Sequence, residues 1–485
     1  MPAHVSGVLH AGPSPVWLPY PVDVNALMPS LWGASVAKDD AGVLTVGGCS
    51  APWLAREFGS PLYVIDVADL RARAEGFASS FGAAFAAVGG RARAFYAGKA
   101  LLTTAIAGWM AEAGLGIDAC SLGELLVARR AGVDPALVGL HGNNKSDAEL
   151  ALALDWGIGR IVIDSLPEIE RLEAAAAARG VRAPVMVRTT VGVEAHTHDF
   201  IATAHEDQKF GLSLTTGQAR AAADAVVAAE HLDLVGLHSH IGSQIFDAEG
   251  FEVAARRLVE LRAQLQEAHG IEVPELDLGG GFGIRYTSQD TPGTFAQLAE
   301  GLAQALARAC REAGTSLPLV SFEPGRALIG PAVFTLYTVG TVKRVETGAG
   351  VRTYVSVDGG MSDNIRTALY DADYSCSLAS RDSRAEPAVV RVVGKHCESG
   401  DIVVRDEYLP ADIGPGDLVA VPGTGAYCRP LASNYNLVPR PGIVAVEDGR
   451  ARWILLPETH EAMLAADPGF AATAPETAEP PRSAR

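Results

Sequence analysis

Lys99 closes the apolar segment AFYAGK (94–99). A lysine where an apolar strand stops is either a snorkelling surface residue or a partly desolvated amine. Desolvation disfavours the ammonium form, and the neutral amine is the nucleophile that a Schiff base requires. The run Gly279-Gly280-Gly281-Phe282-Gly283 follows the apolar segment LDL. Glycines let backbone N–H groups approach an anion closely. A dinucleotide fingerprint would place glycine at 284, but that residue is Ile, and the Walker spacing is absent. The run therefore reads as a phosphate cradle or as a tight turn. Glu323-Pro324-Gly325-Arg326 follows LVSF (319–322). Glu323 and Arg326 could pair with each other. Alternatively, Glu323 faces a cationic ring nitrogen while Arg326 holds a substrate carboxylate in bidentate fashion. His238 and His240 share one face of an extended segment, and His196, His198 and His205 precede them. Spacing places no third ligand beside either group, so no metal is expected.

Asp118, His141, Asp164, Arg188 and His240 also stand where apolar segments stop. Singly, such an Asp is a helix cap and such a His a hydrogen-bonded core residue. Their joint placement on one rim signals a site. The rim follows from a rhythm running from about residue 60 to 325. Eight short apolar segments, at 94–99, 116–121, 137–144, 160–165, 185–190, 234–243, 275–283 and 319–326, alternate with Ala/Leu/Glu/Arg stretches of helical periodicity. That count and size predict a (β/α)8 barrel, an α/β fold whose active site lies at the carboxyl ends of the strands. An open doubly wound sheet is the competing layout. Past 330 the pattern turns β-branched and period-two (FTLYTVGTVKRV, AVVRVVGK, GDLVAVPG), which predicts a second, mostly β domain. The expected organisation is an N-terminal segment at 1–60 partly packing with the β domain, the barrel at 61–326, the β domain at 327–464 and a disordered tail at 465–485.

Composition bounds the partners. The chain has 485 residues, with 39 Lys plus Arg against 57 Asp plus Glu, for a net charge of −18. An acidic surface without a basic run disfavours nucleic acid or an anionic membrane as partner. The longest uncharged interior run, Ala327–Val342, holds 16 residues and a proline, too short and too interrupted to span a bilayer. Residues 1–22 contain five prolines and no Lys or Arg, unlike a signal peptide. The six cysteines form no C-x-x-C, so reduced thiols in a cytoplasm are expected. Cys397 on its own reads as an inert thiol.

The segments FYAGKA, HSHIGSQ, GGGFG and EPGR occur in this order. Together with TVGVEAHTHDFIATAHEDQKFG (190–211), YVSVDGGMSDNIRTALYDADY (354–374), GKHCESGDIV (394–403) and GTGAYCRPLASNYN (423–436), they resemble the alanine-racemase-like, fold-type III family of pyridoxal-phosphate enzymes, and within it the diaminopimelate-decarboxylating branch. The resemblance spans about residues 45–460. It implies that Lys99 carries pyridoxal 5'-phosphate as a Schiff base and that His240 stacks on the ring. Ser243 and Gly279, Gly280 and Gly281 would lie near the phosphate, and Asp118 close to the ring. Glu323, leading into Pro324, Gly325 and Arg326, would bond the pyridine nitrogen and stabilise the quinonoid. Arg326, Arg366 and Tyr370 would bind substrate, and Tyr427 would touch both cofactor and substrate. Cys397 would be the proton donor and Glu398 would hold the distal ammonium, both from the partner subunit of a homodimer. The implied reaction converts meso-2,6-diaminopimelate to L-lysine and CO2. The alternatives are a related decarboxylase acting on another diamino or carrier-bound amino acid, and a non-catalytic regulatory homologue that binds the same coenzyme.

Overall fold

The computed structural model describes residues 15, 17–192, 209–347 and 350–470. His196, His198 and His205, and the part of the tail from 471 onward, lie outside the described residues. Among the described residues no helix is long and apolar enough to cross a membrane.

Strand β1 is Leu62–Asp66. Eight strands then follow: β2 (Arg91–Ala97), β3 (Gly116–Ala119), β4 (Val138–Leu140), β5 (Arg160–Ile163), β6 (Ala183–Thr190), β7 (Leu232–His238), β8 (Glu275–Asp277) and β9 (Leu319–Phe322). Each pairs in parallel with the next, and β9 pairs with β2 from Leu319↔Arg91 to Phe322↔Ala94. The sheet therefore closes. This is the (β/α)8 barrel, and closure excludes the open doubly wound alternative. Helices return the chain between strands, and their ends are written in the sequence. Ser146 and Glu149 form a capping box on Asp147–Trp156, as do Thr294 and Gln297 on Phe295–Ala313. Gly157 and Gly314 end those helices in the left-handed conformation.

The second body is mostly β. It contains β10 (Val333–Thr347), β11 (Gly350–Val357), β12 (Pro387–Val393), β13 (Ile402–Pro410), β14 (Leu418–Pro422), β15 (Ile443–Glu447) and β16 (Arg450–Leu455). β10 is the hub, pairing with β1, β11 and β14 along its length. β1 precedes the barrel in the chain yet inserts between β10 and β15. All five of its residues are buried, as a strand flanked on both edges and both faces requires. The first barrel strand is thus Arg91–Ala97, and the chain visits the second sheet before entering the barrel. The N-terminal segment packs there too. Trp32, Leu44, Val46 and Leu54 share one apolar cluster with Phe334, Leu336, Leu418 and Val444.

Candidate active site

Lys99 sits in a tight turn, Gly98–Ala100, directly after β2. Ala97 N–H donates to Pro324 O at 3.1 Å, and Tyr427 N–H donates to Ala100 O at 2.9 Å. The Tyr96 hydroxyl donates to Leu101 O at 2.7 Å. Barrel and β domain therefore hold the turn from two sides. A Cβ on Gly98 would lie 2.9 Å from Asp118 O, so the residue before the lysine has to be small. The Lys99 side chain opens into a cavity of about 490 Å³ shared with Ser243, Tyr286, Arg326, Arg366 and Tyr370. It also borders a hollow of about 270 Å³ lined by Asp118, His141 and Arg188. His240 and Glu323 wall both spaces.

Glu323 directly follows β9, its N–H donating to Gly279 O at 2.9 Å. Its side chain is buried, and burial pushes its carboxyl above the ordinary range against the opposing pull of His141. Burial likewise pushes Asp118 up to about 7, opposed by Arg160 and Lys99. Burial drives His141 and His238 down to about 3, so both imidazoles are neutral. His240 is held well below its usual value by burial and then by Lys99. Glu323 Oε1 and both Asp118 carboxylate oxygens are buried without a hydrogen bond. Imidazole nitrogens lie within 3.3 Å of Glu323 Oε1 and Asp118 Oδ1, but not at hydrogen-bonding angles. Buried polar atoms left unpaired are costly and mark places where a ligand supplies the missing partner. Below this layer, Arg160 fills the barrel interior. It donates to Glu275 at 2.8 Å and Asp277 at 3.1 Å and covers the Phe95 ring at 3.3 Å.

The glycine run makes the floor. A Cβ on Gly280 would lie 2.1 Å from Glu323 O, and one on Gly281 2.3 Å from Gly242 O. Gly280 N–H donates to His240 Nδ1 at 3.2 Å, which fixes that ring. Phe282 anchors the run by stacking on Phe251 at 5.2 Å and meeting Phe77 edge-on at 5.2 Å. Arg326 donates to Ser243 Oγ at 3.0 Å and to the Tyr286 hydroxyl, with Tyr427 4.7 Å beneath its guanidinium. Arg366 lies 5.2 Å from the Tyr286 ring and 5.8 Å from that of Tyr370. Arg326 and Arg366 thus present guanidiniums to the cavity, and the Glu323 carboxylate faces it from the barrel.

Comparison with known proteins decides what such a cavity belongs to. Residues 67–330 match the family described as pyridoxal-dependent decarboxylase, pyridoxal binding domain. The diaminopimelate decarboxylase of Mycobacterium tuberculosis is 51% identical over 443 residues, covering 90% of this chain and 98% of that one. The Mycobacterium leprae enzyme of the same name is 50% identical over 447 residues, covering 91% and 93%. The chain belongs to the diaminopimelate decarboxylase family. A solved member from M. jannaschii, in complex with L-lysine, superposes with a TM-score of 0.83 at 30% identity, covering 90% of this chain and 98% of that one.

As a member of the diaminopimelate decarboxylases the chain is a carboxy-lyase, and its cofactor is pyridoxal 5'-phosphate. The residues present fit that group. Lys99 offers the amine, and Glu323 a buried carboxylate for a ring nitrogen. The close-packed glycines, Ser243 and Arg326 offer a setting for a phosphate or a carboxylate. Of the residues expected at the site, all but two lie on or beside these spaces. Cys397 and Glu398 do not line them. Cys397 is exposed, its N–H donating to Asn436 Oδ1 at 3.3 Å. Glu398 Oε1 accepts from Gly400 N–H at 3.2 Å. Exposed Leu431, Tyr435 and Leu437 come from the loop that holds Asn436. Tyr286 and Arg160 carried no motif in the sequence. Tyr286 enters the cavity five residues past Gly281, a position that only the folded loop reveals.

Proposed function

We propose that the chain decarboxylates meso-2,6-diaminopimelate to L-lysine and CO2, with pyridoxal phosphate bound through Lys99. The convergence of Lys99, Glu323, Arg326 and Arg366 on one cavity is the observation that carries this reading. The cofactor supplies an electron sink for the pair left when the bond from Cα to the carboxylate breaks. Glu323 keeps the proton on the ring nitrogen by offering a buried carboxylate to a cation. His240, held by Gly280 N–H, would pack on the ring face, and Asp118 would stand close to the ring. Gly279, Gly280, Gly281 and Ser243 let the phosphate approach the backbone. Pro324 and Gly325 set the turn that carries Arg326 from Glu323. Arg326, Arg366, Tyr370 and Tyr427 bind the polar groups of the substrate, and together they exclude water from it.

The active unit in this proposal is a cytoplasmic homodimer. Cys397 of the partner subunit delivers one proton to Cα after CO2 departs, and Glu398 of the partner subunit pairs with the distal ammonium. The support is positional. Neither residue lines its own chain's cavity, and Cys397 lies beside a loop that exposes three large apolar side chains. A distal zwitterion needs both an arginine and a carboxylate, and buried groups left unpaired reject analogues that lack the partner.

CO2 release from meso-diaminopimelate, L-lysine and L-ornithine, each with added cofactor, tests the reading. Release from diaminopimelate at least about a hundredfold faster than from the other two is expected. Ornithine turned over equally fast would defeat it.

A further inference from the structure

Glu323 does not face the cavity alone. His238 Nε2 lies 2.9 Å from its Oε1, and His141 Nε2 lies 3.3 Å from the same oxygen. His141 Nε2 is also 3.3 Å from Asp118 Oδ1. The two imidazoles meet edge-on with centroids 5.1 Å apart, and none of the four side chains is more than 12% exposed. The nearby guanidiniums make their ion pairs with other carboxylates. Arg160 binds Glu275 and Asp277, and Arg188 lies 3.7 Å from Asp164. Two neutral imidazoles thus lie closest to Glu323 Oε1, neither yet at a hydrogen-bonding angle. A neutral imidazole has one N–H, and with that hydrogen on Nε2 a turn of each ring on cofactor binding would bring both into line with the one carboxylate oxygen.

We propose that His141 and His238 are positioning residues that pin Glu323 through Oε1 and leave Oε2 to accept from the cofactor's ring nitrogen, with Asp118 sharing the His141 N–H and fixing that ring. The inference rests on the proposed function, since it needs the ring nitrogen at Glu323. Two donors on one oxygen favour the carboxylate over the carboxylic acid, against the burial that favours the acid. An anionic Glu323 then holds the ring nitrogen protonated. The charged groups facing Glu323 are Asp118, Asp277, Lys99, Arg160 and Arg188, and those facing the two imidazoles are Asp277 and Arg188, with Arg160 and Lys99 also facing His238.

The test compares holoenzyme carrying His238→Leu, His238→Gln, His141→Leu or His141→Gln with the unaltered chain. The glutamine amide retains an N–H donor, whereas leucine removes it. Cofactor labelled with 15N in the ring reports nitrogen protonation by NMR across a pH titration. Each leucine variant is expected to lower the midpoint for loss of the ring proton by about one pH unit and to weaken cofactor binding about tenfold. The glutamine variants should recover most of both effects. Should His238→Leu not fold, the His141 pair at the cavity wall carries the same comparison. Borohydride reduction and peptide mapping locate the cofactor. If it is absent from Lys99 in the unaltered chain, the function and this inference fall together. If it is on Lys99 in every variant and the nitrogen midpoint does not move, this inference alone falls. His141, His238 and Glu323 also present ligand atoms within 4.8 Å of one another. A stoichiometric metal whose chelation reproduces the leucine phenotype would replace the clamp.

Discussion

Glu323→Gln isolates the charge at the ring nitrogen. Glutamine keeps the shape of the side chain, so His141 and His238 stay packed, whereas alanine would also open a void. The side chain is 8% exposed, so solvent screening is weak. A full charge pair at about 3 Å and an effective dielectric near 20 is worth about 5 kcal/mol. Glutamine retains a carbonyl acceptor, so roughly 3 kcal/mol of that directed stabilisation is lost. At 1.36 kcal/mol per decade, kcat/KM for decarboxylation should fall about a hundredfold. The assay is initial-rate CO2 release at saturating cofactor, with borohydride mapping to confirm that Lys99 is still occupied. An occupied variant within about threefold of the unaltered rate would show that protonation of the ring nitrogen does not depend on Glu323.

Subunit sharing predicts complementation. Lys99→Ala and Cys397→Ala homodimers should each be inactive, and an equal mixture re-equilibrated to hybrids should regain about a quarter of the unaltered activity, since half the dimers then hold one intact site. A mixture that stays inactive while hybrids are seen by native mass spectrometry would place both residues in one chain's site. Phe282→Ala removes the ring that ties the glycine run to Phe77 and Phe251, and should cost about 3–5 kcal/mol in urea unfolding and weaken cofactor binding; a cost below about 1 kcal/mol would mean the run is held by its backbone alone. Burial pushes Asp363 up to about 7, although it accepts hydrogen bonds from the Tyr337 hydroxyl and Gly360 N–H. A carboxyl raised on folding binds its proton more tightly in the native state, so its contribution is present at low pH and fades as pH rises from about 4 to about 7. Cofactor-free Asp363→Asn should therefore melt with a flatter pH dependence in that window; an unchanged slope would show that the native carboxyl is already ionised.

The periodicity of the chain made the barrel legible because most barrel strands are short buried runs that stop at or just before a polar residue or a glycine, as strands covered on both faces by a closed parallel sheet and its helices do. The same property hid β1. LYVID is as uniformly buried as any barrel strand, and only its neighbours β10 and β15, hundreds of residues downstream, place it in the other sheet. Burial patterns report that a segment is covered, not by what.

His141 illustrates the equivalent blindness at the site. Next to Gly142 it looks like any core histidine, and its meaning comes from Glu323 and Asp118, which the barrel brings to it from two other strands. Arg160 opens RIVIDS as if it were a surface residue, yet it is 3% exposed inside the barrel, answering Glu275 and Asp277. Cys397 and Glu398 invert the case. Their motif announced them, but one chain's fold leaves them outside its own cavity. A residue recognised by motif and excluded by geometry is what a site completed across a subunit boundary produces. In the proposed homodimer the exposed apolar loop beside Cys397 is the face that meets the second copy, while the barrel, with Arg366, Tyr370 and Tyr427 of the β domain, places the other groups within one chain.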